Sequence, residues 1–285
     1  MNLINVRTFL AVMETGSLSR ASERLHVTQS TVTARLSALE SEIGQTLFHR
    51  RKSGAELTSA GFKFQRYAEL MSDLWSQALL ETSLPSGVGA ICNIGCQPDL
   101  WHGFGERFLA ELEENAADVA YSVWPGEQAD LIRWLRTGLV DLVFCFVPPN
   151  ADDTVVSKVF DDELVLVSTR PRPLMRWDPA YVYVDMGEAF RRDHAAAYPD
   201  GDTPTRTFGS ASWALEYLLA NGGSAYLPAR LAEPHLATGT LHAVADAPVF
   251  RRPVYVAGRR SLIESWPWYE DVVDSAFAGD VETGG

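Results

Sequence analysis

The chain has 285 residues, of which 46% are hydrophobic and 21% are charged. This length and composition predict two domains, or one small domain beside a larger bilobed one, and exclude disordered and fibrous proteins. No apolar run approaches the roughly 18 residues of a membrane span, and the first residues lack the basic-then-apolar layout of a signal peptide. We therefore expect no membrane partner and a cytoplasmic location.

The net charge of −13 is unusual for a protein that binds nucleic acid, so its distribution along the chain matters more than its total. Up to Tyr67 the chain carries nine Lys or Arg residues and five acidic ones, a net charge of +4, so the remainder must carry −17. A basic N-terminal part on an acidic body approaches phosphates in one orientation, because the body is repelled.

Three helices are predicted in the first 45 or so residues. Apolar residues at helical spacing indicate a helix over Asn2–Thr15, which Gly16 ends. Ser19 is the expected N-cap of a short second helix, and Thr28 that of a third, after a turn at His26-Val27. The apolar stripe of the third helix consists of Val32, Leu36, Leu39 and Ile43. A tight turn between two such helices, the second with a small polar face, is typical of a helix-turn-helix.

A basic hairpin and a longer helix are expected next. The stretches 46–50 and 55–57 predict two short strands, and the tip between them, Arg51–Gly54, has the composition of a wing. The helix from Thr58 to about Leu80 carries an apolar seam that suits a second copy of the same helix, although packing against the protein's own body is the alternative. The residues of this predicted dimer contact are Phe64, Tyr67, Met71, Leu74, Trp75 and Ala78. A linker is expected over Ser83–Gly87.

Beyond the linker, strands and helices alternate, which predicts a mostly parallel sheet covered by helices. The predicted strands are Ala90–Gly95, Val119–Trp124, Asp141–Val147, Glu163–Val167, Tyr181–Val184, Ser224–Leu227 and Pro253–Ala257. The predicted helices are Asp99–Glu114, Glu127–Thr137, Ser212–Ala220 and Trp266–Phe277. The fold class is therefore α/β.

These residues resemble the LysR-type transcriptional regulators over nearly the whole chain. The matching motifs of the N-terminal part are Phe9-Leu10-Ala11-Val12, Gly16-Ser17-Leu18, Arg20-Ala21-Ser22, Leu25-His26-Val27-Thr28-Gln29-Ser30, Leu47-Phe48-His49-Arg50 and Leu57-Thr58-Ser59-Ala60-Gly61. Further along, Asp141-Leu142 and the run Asn221–Pro228 resemble landmarks of the family's effector domain. Leu100-Trp101 and the acidic, Trp-rich body resemble the branch that contains flagellar-operon regulators.

The resemblance implies a winged helix-turn-helix, a dimerising linker helix, and a two-lobed α/β effector domain like periplasmic binding proteins, which the chain crosses twice. The corresponding boundaries are 1–58 for the DNA-binding domain, 59–87 for the linker helix and hinge, and 88–285 for the effector domain. Lobe I would take 88–162 and 258–285, and lobe II 163–257. Such regulators are commonly tetramers built as pairs of dimers, and they bind double-stranded operator DNA and a small-molecule effector; an activator would also contact RNA polymerase.

The expected DNA contacts lie at the start of the third helix and in the wing. Gln29 can pair with adenine or donate to phosphate, although a role in capping its helix is the alternative, and Arg35 can reach a phosphate or pair with an acid. The predicted DNA-binding residues are Thr28, Gln29, Ser30, Thr31, Thr33, Arg35, Arg50, Arg51 and Lys52. Ala34 and Ser37 replace basic residues of many relatives, which predicts a shallower salt dependence.

The expected effector site lies where strands of the two lobes end, because open α/β sheets bind ligands there. A free helix start favours anions, but Asp99 argues against an anion at the first of these loops. The predicted effector-binding residues are Gln97, Pro98, Asp99, Leu100, Trp101, Trp124, Phe146, Gly209, Ser210 and Ala211. Core packing is the alternative for Trp101 and Trp124.

Three other functions are weighed against this one. An enzyme is disfavoured because the six histidines have no metal-ligand spacing and no phosphate loop or nucleophile elbow occurs, so we expect neither a metal nor a cofactor. A solute-binding protein of transport would leave the basic N-terminal part unexplained. A regulator triggered by redox chemistry at Cys92, Cys96 or Cys145 would share the DNA-binding function and differ in its trigger.

Overall fold

The computed structural model describes residues 2–51, 54–84, 87–150, 153–173, 178–199, 201 and 203–277, without the side chains of 50, 51, 80 and 81. The chain divides into an N-terminal unit, Met1–Ser86, and a C-terminal unit, Gly87–Gly285. Lys52 and part of the predicted linker, Pro85 and Ser86, lie outside the described residues.

The N-terminal unit contains the predicted helices, hairpin and long helix. Its elements are α1 Leu3–Thr15, α2 Leu18–Arg24, α3 Gln29–Ile43, β1 Phe48–Arg51, β2 Gly54–Leu57 and α4 Ser59–Thr82. Gly16 ends α1 at a φ of 63°, and Thr28 caps α3, both as predicted. The predicted N-cap of α2 was wrong: Ser17 rather than Ser19 accepts from the Arg20 N–H, because the helix begins directly after Gly16-Ser17.

One apolar core holds this unit together. It contains Phe9 and Val12 of α1 and the predicted stripe of α3 as far as Leu39, whereas Ile43 is exposed. The start of α4 is tied to the loop before β1, because Thr58 donates to the Thr46 carbonyl through its side chain and caps the Gly61 N–H at 3.0 Å.

The C-terminal unit has eight α-helices and nine strands within its described residues. The strands are β3 Ala90–Cys96, β4 Val119–Pro125, β5 Leu142–Cys145, β6 Thr154–Ser168, β7 Tyr183–Val184, β8 Thr207–Phe208, β9 Ser224–Pro228, β10 His242–Ala243 and β11 Phe250–Arg259. The helices are α5 Pro98–Leu100, α6 Glu106–Asn115, α7 Gln128–Thr137, α8 Glu188–Ala197, α9 Ala211–Asn221, α10 Ala229–Ala237, α11 Arg260–Ile263 and α12 Tyr269–Phe277.

The main sheet is mixed, so the predicted mostly parallel sheet was wrong. Its strand order is β10-β6-β11-β5-β3-β4, with β9 also paired to β6. In this sheet β3 runs parallel to β4 and β5, whereas the pairs made by β6 and β11 are antiparallel. The sequence pattern detected only short parts of β6 and β11. In β6 the buried face changes between Val159 and Asp162, at the register shift opposite Val254 and Tyr255, which interrupts the alternation expected of one strand.

The two largest cores of this unit define its lobes, and the strands β6 and β11 connect them. Val159, Val254 and Val256 belong to the core of lobe I, whereas Leu164 belongs to that of lobe II. By these clusters the division falls near Asp162 in β6 and near Arg252 in β11, whereas the sequence placed the two crossings at 162/163 and 257/258. The difference arises because Arg252 pairs directly opposite Asp162 in the antiparallel register.

The predicted helix Asp99–Glu114 is broken. After α5 the chain makes a wide turn over Trp101–Gly105 before α6 begins, and within this turn His102 has extended backbone angles and Gly103 a φ of 76°. A positive φ is available to glycine at little steric cost, which explains the residue at this position. The break brings the backbone carbonyl of His102 within reach of Arg230.

Candidate DNA interface and interlobe site

The N-terminus of α3 presents a cluster of hydroxyl groups near the surface. The Thr28 Oγ1 accepts from the Thr31 N–H at 3.2 Å and lies 2.8 Å from both the Ser30 Oγ and the Thr31 Oγ1. Because Thr28 supplies the cap, Gln29 is not needed for that role, and its side chain is exposed. The arrangement offers one amide and several short hydroxyls to a base edge or a phosphate.

The next turn of α3 carries the remaining predicted contacts of this helix. Thr33 and Arg35 are half-buried, and Arg35 makes no ion pair with any described residue. Ala34 and Ser37 are exposed on the same helix. Arg35 is the only cationic residue within Gln29–Ile43, which limits the charge that α3 alone can contribute to phosphate binding.

The wing is fixed against the helix-turn-helix by a backbone contact. Strands β1 and β2 pair antiparallel with Arg50 opposite Ala55 and Arg51 opposite Gly54. The Ala55 N–H donates to the Gly16 carbonyl at 2.8 Å, and a Cβ at Gly54 would lie 2.5 Å from that oxygen. The structure thus places the backbone of Arg50 and Arg51 in β1, while their side chains and Lys52 lie outside the described part.

The predicted dimer seam on α4 divides into two groups. Phe64 and Met71 pack against the core of their own N-terminal unit, and Phe64 contacts the Phe9 ring with centroids 5.1 Å apart. Tyr67 and Trp75 are 50% and 48% exposed, Ala78 is exposed, and Leu74 is half-buried. One face of α4 therefore packs on its own unit, and another remains open. Phe62 and Leu79 are also exposed on α4 but were not among the predicted residues.

The predicted effector residues of the two lobes meet through Asp99. Its carboxylate, in α5 of lobe I, accepts from the Ser210 hydroxyl at 3.0 Å and from the Ala211 N–H at 3.0 and 3.2 Å. Ser210 and Ala211 form the start of α9 in lobe II, directly after the exposed Gly209. In lobe I the Gln97 Oε1 accepts from the Phe146 N–H at 2.8 Å, which holds two of the predicted loops together.

Three charged residues complete this site, and no pattern in the sequence indicated them. The Asp162 carboxylate accepts from Arg230 Nε at 3.0 Å on one oxygen and from Arg252 Nε and a terminal nitrogen at 3.0 and 2.9 Å on the other. The Arg252 guanidinium also lies 3.6 Å from the centroid of the Phe146 ring. Burial lowers the pKa of Arg252, an effect that Asp162 opposes.

Arg230 connects the lobes a second time. From α10 of lobe II it donates to the backbone carbonyls of Asp99 and His102 in lobe I. These partners are 131 and 128 residues away in sequence, so no local pattern could have identified the contact. Asp162 thus pairs with both arginines, whereas the Asp99 carboxylate binds the Ser210 hydroxyl and the Ala211 N–H.

The other predicted effector residues lie around this pairing. Leu100 is fully buried in the core of lobe I and Trp101 packs against that core, so core packing accounts for both. Pro98 begins α5. Trp124 is 54% exposed at the end of edge strand β4, where its Nε1–H donates to the Ser122 hydroxyl at 3.0 Å.

The three cysteines are buried. Cys92 and Cys96 belong to the main core of lobe I, whereas Cys145 belongs to the separate cluster beneath α7. Burial raises the pKa of both Cys96 and Cys145 to about 12, and burial also raises the pKa of Cys92. Thiols in this state are poor nucleophiles at neutral pH.

Two further features concern ions and membranes. Across the described ranges, no three His, Cys, Asp or Glu side chains lie close enough together to hold a metal ion. None of the helices in the described part of the chain is long and apolar enough to cross a membrane.

Comparison with known proteins identifies relatives for both units. Residues 3–62 match the family model described as the bacterial regulatory helix-turn-helix protein of the lysR family, and residues 87–265 match the LysR substrate binding domain. The HTH-type transcriptional regulator HdfR of Shigella boydii is 28% identical over 253 residues, which cover 88% of this chain and 89% of that protein.

Solved structures of full-length regulators share the fold. ArgP from Mycobacterium tuberculosis is 24% identical with a TM-score of 0.56, covering 96% of this chain and 97% of that chain. CbnR, a LysR family transcriptional regulator, is 17% identical with a TM-score of 0.72, covering 97% of this chain and 99% of that one. A full-length OxyR variant from Pseudomonas aeruginosa is 21% identical with a TM-score of 0.56, covering 98% and 95%.

Proposed function

The chain belongs to the LysR family of transcriptional regulators, and we propose that it binds operator DNA through the hydroxyl-rich start of α3 and the arginines of the wing. The observation that carries this proposal is the contact between Ala55 and Gly16, which holds the wing beside the helix-turn-helix. A basic hairpin fixed there can enter a narrow minor groove while α3 lies in the adjacent major groove.

The face of α3 has little charge of its own, so the wing and a second copy of the protein supply much of the affinity. Two copies joined through the exposed face of α4, with Tyr67 and Trp75 at the contact, would read half-sites about one helical turn, roughly 34 Å, apart. One N-terminal unit alone would bind weakly, because two linked units gain affinity without any new contact. A tetramer would be a pair of such dimers.

A small molecule acting between lobes I and II is the proposed regulator of this activity. The predicted effector loops meet there through Asp99, Ser210 and Ala211. A ligand that prefers one lobe arrangement shifts the population towards it and thereby changes how the paired units engage DNA. The protein would carry out no catalysis and would act in the cytoplasm.

A gel-shift titration with Arg50→Ala tests the DNA assignment. Loss of one phosphate contact should weaken binding and reduce the salt slope by about one. Arg192→Ala, which removes an exposed arginine from α8 of the C-terminal unit, is the matched control for net charge. Equal affinity of the Arg50 variant and the wild type would refute the assignment of the wing.

Redox control through the cysteines is the second candidate trigger, and the burial of all three disfavours it. An oxidant would have to reach a thiol that is protonated at neutral pH. Operator binding that is unchanged by peroxide in the wild type and in a Cys96→Ser variant would remove this candidate.

A further inference from the structure

The contact between the lobes includes the start of helix α9 and a carboxylate of the other lobe. Helix α9 begins at Ala211 in lobe II, and its N-cap residue Ser210 makes no side-chain bond to its own helix. Instead, the Ser210 hydroxyl and the Ala211 N–H both donate to the carboxylate of Asp99 in lobe I. The N-terminus of α9 is therefore capped by a residue of the opposite lobe.

A carboxylate at this position satisfies the electrostatics of a helix start. The first N–H groups of a helix have no partner within it, and the aligned peptide dipoles favour negative charge there. An anionic ligand would use the same donors. Asp99 thus makes the contacts that the carboxylate of a bound molecule would make, and it belongs to the chain itself.

Lobe II holds the segment from Asp99 to His102 of lobe I at a second point, through Arg230. Arg230 donates to the backbone carbonyls of Asp99 and His102, and its Nε donates to Asp162 at 3.0 Å. Arg252 pairs with the other oxygen of Asp162. The side chains of Asp99, Asp162, Arg230 and Arg252 each have a hydrogen-bond partner in the chain. Two negative and two positive charges balance, so the contact needs no external ion.

We propose that Asp99 is a built-in ligand of the interlobe site: its carboxylate occupies the N-terminus of α9, so the lobes are closed without an effector. This inference rests on the proposed control by a small molecule and specifies whether the effector opens or closes the lobes. An effector that acts at this site opens the lobe contact, and a free carboxylate does not bind at α9 while Asp99 is in place.

The exclusion of free carboxylates follows from effective concentration. A group held in place on the same folded chain competes at an effective concentration far above the millimolar range of a flexible linker. A second anion at Ser210 and Ala211 would have to displace Asp99 and leave its charge close by, which costs further energy. Removal of the Asp99 carboxylate should therefore create a carboxylate site that the wild type lacks.

Hydrogen exchange of the full-length protein, read by mass spectrometry on peptides covering 208–216, tests this proposal. Without added ligand, the Ala211 amide at the start of α9 should be protected in the wild type and should exchange at least about tenfold faster in Asp99→Ala. Acetate at tens of millimolar should restore protection to the variant and leave the wild type unchanged, with chloride at equal ionic strength as the salt control. Glu127→Ala, which removes an exposed acid before α7 that makes no side-chain cap, is the matched control variant.

Two results would overturn the proposal. One is an Ala211 amide that exchanges as fast in the wild type as in Asp99→Ala, and the other is a folded Asp99→Ala variant in which acetate does not protect this amide. If Asp99→Ala does not fold, Asp99→Asn replaces it. This variant should give an intermediate exchange rate, because its amide oxygen still accepts from the Ala211 N–H but carries no charge. An exchange rate equal to that of the wild type would then refute the proposed role of the Asp99 carboxylate. Gel shifts of the wild type on operator DNA test the regulator function separately.

Discussion

Replacing Asp162 by Asn should destabilise the C-terminal unit strongly. The carboxylate is 2% exposed and binds two arginines, of which Arg252 is 8% exposed. Removing one partner of a buried ion pair leaves an uncompensated charge and costs about 3–5 kcal/mol. Three hydrogen bonds of 3.0 Å or less to the carboxylate are affected together, which supports a loss within that range.

The neighbouring residue supplies the control. Glu163 pairs with Arg251 across the same two strands, but these side chains are 42% and 58% exposed. A pair in this setting is worth about 0.2–1 kcal/mol, so Glu163→Gln should be nearly silent. The two variants thus change adjacent acids of one strand and differ chiefly in burial.

Urea unfolding followed by tryptophan fluorescence measures both variants. Seven of the eight tryptophans lie in the C-terminal unit, so the signal reports mainly on its transition. Free energies extrapolated to zero urea should differ by about 2 kcal/mol or more between the two variants. A loss of less than about 1 kcal/mol for Asp162→Asn would refute the reasoning that this pair is effectively desolvated.

Four other predictions concern individual side chains. Thr28→Ala should cost the N-terminal unit about 1 kcal/mol in urea unfolding through loss of the α3 cap, and an unchanged midpoint would contradict the cap. Because burial raises the pKa of Cys96 and Cys145 to about 12, iodoacetamide at about pH 8 should modify them in urea but not in the folded protein, as mass spectrometry would show. Burial lowers the pKa of His194, so the unfolded state binds a proton on this imidazole more tightly than the folded state does, and stability should fall as the pH drops below about 6.5. His194→Gln should remove this part of the pH dependence. Curves of stability against pH that run parallel for the wild type and the variant would argue against it. Trp75→Ala should weaken self-association in sedimentation experiments, and an unaltered dissociation constant would place the dimer contact elsewhere.

The N-terminal unit could be predicted well because its determinants are local. The cap at Thr28 and the stop at Gly16 lie next to the helices that they bound, and the apolar stripe of α3 repeats within four residues. The N-cap of α2 was misplaced by two residues because Ser17 and Ser19 are both good caps, and sequence alone does not choose between them.

The interlobe site could be predicted only in part, for a reason of sequence distance. Its loops follow from the rule that ligands bind at strand ends, which indicated Asp99 and Ser210. The partners Arg230 and Arg252 lie 68 and 90 residues from Asp162 and come from a helix and a strand whose register the sequence does not contain. Strand β6, which serves both lobes, also changes which face is buried along its length, and this change hid its extent.

Asp99 belongs to helix α5, but its carboxylate acts on helix α9 of the other lobe. Taken along the sequence, an acid in the first turn of α5 counts against an anion at that helix, and this argument still holds for α5 itself. In space, however, the carboxylate lies at the start of α9 in the other lobe, where the same physics makes it stabilising. Because the Ser210 hydroxyl and the Ala211 N–H already donate to Asp99, the proposed sensitivity to a small molecule depends on how strongly that molecule competes with this internal contact. Substitutions that weaken the Asp99 contact should therefore change the effector response without altering any residue that touches DNA.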